Sequence, residues 1–104
     1  MNHILTVGTN RKNRRVWLDN ETYLTEAGFN AQSLYNATYY PVSKSIKLKL
    51  DKEGQRKVSK KKKGDRLAPV IDLNSTKVSW ALGAVKKVKV TYKPGLITIK
   101  GVEW

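Results

Sequence analysis

The chain has 104 residues, 39% of them hydrophobic, with no cysteine and a formal charge of +13 from 21 Lys and Arg against 8 Asp and Glu. That length suits one small domain with a thin core and leaves no room for a deep catalytic pocket beside a second domain. The missing cysteines exclude disulfide staples, zinc knuckles and thiol catalysis, and the charge predicts a surface that attracts polyanions, nucleic acid first among them. The charge is uneven: residues 1–50 carry 7 basic and 3 acidic side chains, and residues 51–104 carry 14 and 5. No segment approaches the roughly 20 apolar residues of a membrane span. The opening residues lack the basic start and longer apolar run of a signal peptide, so a cytoplasmic protein without membrane contact is expected.

Residues 4–8 read as a short strand. Residues 9–15 form a polar, basic turn, and residues 16–18 resume a strand. Asp19 and Asn20 can cap a helix over residues 21–27 that buries Tyr23, Leu24 and Ala27 and ends at Gly28. Strands over 34–40 and 45–50 follow as a hairpin, because Ile46, Leu48 and Leu50 alternate with Lys47 and Lys49. Residues 51–54 are too short a connector to let two domains move independently.

The same order then returns. Residues 55–59 open it, a lysine run over 60–63 stands where the first half has its basic turn, and a strand over 67–72 follows, which Pro69 confines to an edge or a bulge. Asn74 or Ser75 can cap a helix over 76–82 that buries Val78 and Leu82 and closes at Gly83. Residues 87–92 and 96–100 make a hairpin around the turn Lys93-Pro94-Gly95, with Val88, Val90, Tyr92, Ile97 and Ile99 on one face. Aromatic residues at strand spacing belong to the core, which is the expectation for Trp17, Phe29 and Tyr92. The fold class is therefore mostly β with two short helices, a β-β-α-β-β order used twice (residues 1–51 and 55–104) within a single domain, residues 1–104. Neither half can bury a core alone, so the halves should share one about a pseudo-twofold axis.

The run Trp17, Leu18, Asp19, Asn20, followed by Leu24 through Phe29 and an alternating hairpin, resembles the swapped-hairpin AbrB/SpoVT-like family, in particular its SymE-like branch. About 35 residues carry the likeness. The second half matches more loosely through Leu82, Gly83, Ala84 and the Lys93-Pro94-Gly95 turn. Two such units also look like the small basic regions that accompany DNA cytosine methyltransferases in phages and mobile elements. The resemblance implies a swapped-hairpin β-barrel that binds DNA through basic strands and loops. Two units in one chain would let a monomer close the barrel, where many relatives dimerise. SymE-type proteins are described as RNA-targeting toxins, which keeps RNA open as the ligand.

Two basic arms are the candidate site. Arg11, Lys12, Arg14 and Arg15 form one, and Arg56, Lys57, Lys60, Lys61, Lys62, Lys63 and Arg66 the other, because phosphates along a duplex are best met by cations on exposed turns. Arginine can read guanine bidentately, so base readout belongs to the first arm and affinity to the second. Lys47, Lys49, Lys87, Lys89 and Lys100 read as charge protecting strand edges. Trp17, Trp80, Trp104, Tyr35, Tyr39 and Tyr40 are the aromatics that could stack on bases. Asp19 and Asp72 read as helix caps. His3 is the only histidine and no carboxylate pair is placed for acid–base work, so no enzyme, metal or cofactor is expected. The expected function is duplex DNA binding by a non-enzymatic protein of phage or mobile-element type. An RNA-binding toxin and a protein inhibitor of a nucleic-acid enzyme, of the anti-CRISPR or anti-restriction kind, are the competing classes.

Overall fold

The structure is a computed structural model that describes residues 2–103; Trp104 lies outside them. Ten strands and two short helices follow in the order β1 Asn2–Thr6, β2 Gly8–Asn10, β3 Asn13–Leu18, α1 Glu21–Glu26, β4 Leu34–Tyr40, β5 Ser45–Leu50, β6 Arg56–Lys57, β7 Ser59–Lys63, β8 Arg66–Leu73, α2 Thr76–Leu82, β9 Lys87–Lys93 and β10 Leu96–Glu103. Each half thus places three strands, not two, before its helix. The expected single strand over residues 4–8 breaks at Val7, whose N–H leaves the ladder for the Lys86 carbonyl. The basic turn is in fact a β2–β3 hairpin closed on Arg11 and Lys12. The lysine run, expected as a turn, is strand β7, paired with β8 from Ser59↔Val70 to Lys63↔Arg66.

All pairings are antiparallel, in a six-stranded sheet ordered β1-β9-β10-β5-β4-β6 and a four-stranded sheet ordered β2-β3-β8-β7. The strand leading the first half, β1, pairs with β9 of the second, while β6 pairs with β4 of the first. Matching hydrogen bonds close both ends of the central β5·β10 ladder, from Leu50 N–H to the Gly95 carbonyl and from Gly101 N–H to the Lys44 carbonyl.

The core lies between the sheets. Val16, Leu18, Ile71 and Leu73 face it from one side, and Ile46, Leu48, Val88, Val90, Ile97 and Ile99 from the other. Helix α1 is barely long enough to hold itself and depends on packing. Asn20 Oδ1 accepts from Tyr23 N–H at 3.0 Å, and at the other end Gly28, at φ 88°, lets Phe29 N–H reach the Leu24 carbonyl at 2.9 Å. That turn delivers Phe29 into the core, where it is fully buried. Helix α2 begins after Ser75 without a side-chain cap and ends at Gly83, φ 58°. Val78, Ala81 and Leu82 are buried there, while Trp80 points outward. Pro69 sits where β8 has β7 on one side only, because β3 reaches no further than Ile71, so its missing N–H costs no bond to β3.

Two expectations about single residues fail. Val16 and Leu18 are the inward positions of β3, so Trp17 points outward and is 39% exposed, whereas Phe29 and Tyr92 are core as expected. Neither aspartate caps a helix: Asp72 stands mid-strand opposite Trp17, and the cap of α1 is Asn20 rather than Asp19. No helix among the described residues is long and apolar enough to cross a membrane.

Candidate nucleic-acid interface

The two hairpins of the four-stranded sheet point in opposite directions. Strands β3 and β8 meet only at Val16↔Leu73, Trp17↔Asp72 and Leu18↔Ile71, so the tip at Arg11 and Lys12 and the tip at Gly64 and Asp65 lie at opposite ends of the sheet. The register separates them by about a dozen strand positions, roughly 40 Å at ordinary strand rise. The longest dimension of the Cα trace is 38 Å, comparable with that separation. Arg11 holds φ 59° at the first tip, and Gly64 holds φ 64° at the second. A side chain at positive φ is disfavoured, and that makes the arginine the notable choice of the two.

The structure divides the eleven candidate cations into three groups. Arg11, Lys12, Lys57, Lys60, Lys61 and Lys62 are exposed and have no ion-pair or hydrogen-bond partner among the described residues. Lys63 approaches Glu21 at 3.9 Å, and Arg66 binds the same carboxylate through two nitrogens, at 2.6 and 3.1 Å. Those bonds, the one from Arg66 foremost, hold the Glu21 carboxyl below its usual range.

The other three belong to the fold. Arg14 is part-buried: its backbone N–H donates to Ser79 Oγ at 2.8 Å and its guanidinium to the Val85 carbonyl, which ties β3 to α2 and the segment after it. Arg15 makes a bidentate pair with Asp72, both bonds 2.9 Å, and lies over the Trp17 ring at 4.6 Å. Arg56 is half-buried beside Tyr35, with its Nε 3.4 Å from the phenol oxygen. The first arm is thus the hairpin tip alone. The two basic runs also occupy different strands of their hairpins: Arg14 and Arg15 follow the first tip, whereas Lys60 to Lys63 precede the second.

A second basic surface covers the solvent face of the six-stranded sheet. Lys47, Lys49, Lys89 and Lys100 are exposed there. They were expected to protect edges, but β5, β9 and β10 are interior strands and the edges are β1 and β6. Lys89 stands directly opposite Lys100, a like-charge cross-strand pair that opposes folding. Lys47 faces Thr98 and lies 5.6 Å from the Tyr40 ring.

Among the aromatics named from sequence, Tyr35 is buried and Tyr39 half-buried, while Trp17, Tyr40 and Trp80 are exposed. No group of three or more potential metal-ligating side chains occurs among the described residues. Comparison with known proteins finds no family model, curated protein or solved structure that matches the chain.

Proposed function

We propose that the protein is a non-enzymatic nucleic-acid-binding domain that grips duplex DNA with the two hairpins of its four-stranded sheet. The observation that carries this reading is the placement of the unpaired cations. They sit at one tip and along the strand leading to the other, with the tips separated by a distance close to the 34–36 Å turn of B-DNA. Arg11 and Lys12 would meet phosphates at one end, and Lys60, Lys61 and Lys62 would meet them one turn away. Arg14 and Arg15 serve this surface by fixing β3 rather than by touching phosphate.

The same reading covers the architecture. The symmetrical strand order, with β1 and β6 exchanged between halves, is what two copies of a swapped-hairpin unit fused in one chain would produce. A fused pair matches the resemblance to AbrB-like proteins and supports a monomer that completes both sheets, rather than a closed barrel, from one chain. One molecule would then offer a pseudo-twofold surface to a twofold duplex.

The lysine-covered face of the six-stranded sheet supplies a second reading, favoured by the Lys89↔Lys100 pair, in which that flat face carries the polyanion. Matched-duplex binding separates the two. Replacing Arg11, Lys12, Lys60, Lys61 and Lys62 with glutamine should weaken binding far more than replacing Lys47, Lys49, Lys89 and Lys100. The reverse order would move the interface to the six-stranded sheet.

A further inference from the structure

Trp17 stands midway between the hairpin tips, at the central pair of the β3·β8 ladder, on the sheet face that turns away from the core. Its exposure has no structural necessity, since Val16 and Leu18 already supply the inward contacts of β3. The indole is also held still. Arg15 lies against it at 4.6 Å, and the guanidinium is fixed in turn by its two bonds to Asp72. An aromatic plane ordered before binding gives up little entropy when a ligand stacks on it.

Beside Trp17 lies a cleft of about 460 Å³ lined by Ser59, Lys60, Lys61, Val70 and Asp72. Arg15 is absent from that lining and borders a separate cleft with Gly8 and Thr9. The first cleft combines the features that a nucleobase needs: an aromatic wall, an apolar residue in Val70, a hydroxyl and a carboxylate for base edges, and the unpaired Lys61 ammonium on the same face for the flanking phosphate. A strand ligand lying from tip to tip would pass over it.

We propose that Trp17 stacks on an unpaired base extruded from the bound duplex, with the base lodged against Val70 and its phosphate on Lys61, which shares the outer face with Trp17. This deepens the two-hairpin reading and rests on it for the placement of the duplex. Because extruding a paired base costs unstacking and unpairing energy, a duplex that already carries a bulged base at its centre binds more tightly than the matched one.

The test is fluorescence-anisotropy binding of a matched duplex and of the same duplex with one central bulged base, for the wild type, Trp17→Ala and Trp17→Phe. The wild type should prefer the bulged duplex by about tenfold, the scale of one base–aromatic stack. Trp17→Ala should erase the preference, and Trp17→Phe, which keeps a stacking ring, should retain part of it. In a Trp80→Phe, Trp104→Phe background the bulged duplex should quench Trp17 emission more than the matched one does. A wild type without preference, or a preference that survives Trp17→Ala, would overturn the proposal. Trp17-dependent binding of the bulged duplex with no binding of the matched one would uphold the stacking site and sink the two-hairpin grip; binding to neither would sink both.

Discussion

The salt dependence of duplex binding follows from the division of the cations. If Arg11, Lys12, Lys60, Lys61 and Lys62 each neutralise one phosphate, the logarithm of the binding constant falls with the logarithm of salt at a slope of about −4.5, from about 0.9 per contact. Between 50 and 200 mM salt the affinity then drops about 500-fold. Arg11→Gln with Lys12→Gln should flatten the slope by about 2, and the triple change Lys60→Gln, Lys61→Gln, Lys62→Gln by about 3. Lys47→Gln with Lys49→Gln should leave it nearly unchanged, because those side chains lie on the other sheet. Anisotropy titrations at four or five salt concentrations read every slope. Equal flattening per charge removed, whichever sheet the lysine came from, would show that net charge alone governs binding and would refute the placement argument.

Arg11 holds a positive φ, which glycine would hold without strain, so Arg11→Gly should raise stability by about 0.5–1 kcal/mol in urea unfolding while weakening duplex binding. The opposite effect is expected at Gly54, where an added Cβ would stand 2.6 Å from the Tyr35 backbone nitrogen. Gly54→Ala should therefore cost about 1–3 kcal/mol, seen as a drop in Tm, by forcing β6 away from β4. His3 packs against the rings of both Tyr23 and Tyr92, each 5.3 Å away, and burial pulls its pKa below the ordinary 6.5. The unfolded chain then binds the proton more readily than the folded one, so stability should fall as pH drops below 6.5 towards the lowered value. His3→Phe should flatten that part of a Tm-against-pH curve.

Much of the fold is legible in the sequence because alternation reports a strand directly. The hairpins of β4 with β5 and β9 with β10 announce themselves through Ile46, Leu48, Val88, Val90 and Ile99, each set between polar neighbours. Helix α1 is marked by Asn20 and Gly28 at its ends. The lysine strand β7 is invisible for the opposite reason, since four identical charged residues show no period and only pairing with β8 makes them a strand. Strand β6 has two residues and exists solely through its register with Leu34 and Tyr35.

The candidate site divides along the same line. Exposed cations at a tip can be read from charge and turn residues, but charge alone cannot separate Arg11 from Arg14 and Arg15. The separating signal is parity. Arg14 shares its face with Val16 and Leu18, and Arg15 shares its face with Trp17. Val16 and Leu18 take the inward positions of β3, which turns Trp17 to the outer face against the general preference of tryptophan for the core. The partners of both arginines, Val85 and Asp72, lie 71 and 57 residues away and are fixed only by the fold.

The most direct measurement is anisotropy binding of the full chain to a matched DNA duplex, a single strand of the same length and an RNA hairpin of equal charge, all at physiological salt. The two-hairpin account predicts that the duplex binds most tightly and that the Arg11, Lys12, Lys60, Lys61, Lys62 glutamine variant loses that preference. A tighter RNA complex, or no binding to any of the three, would contradict it.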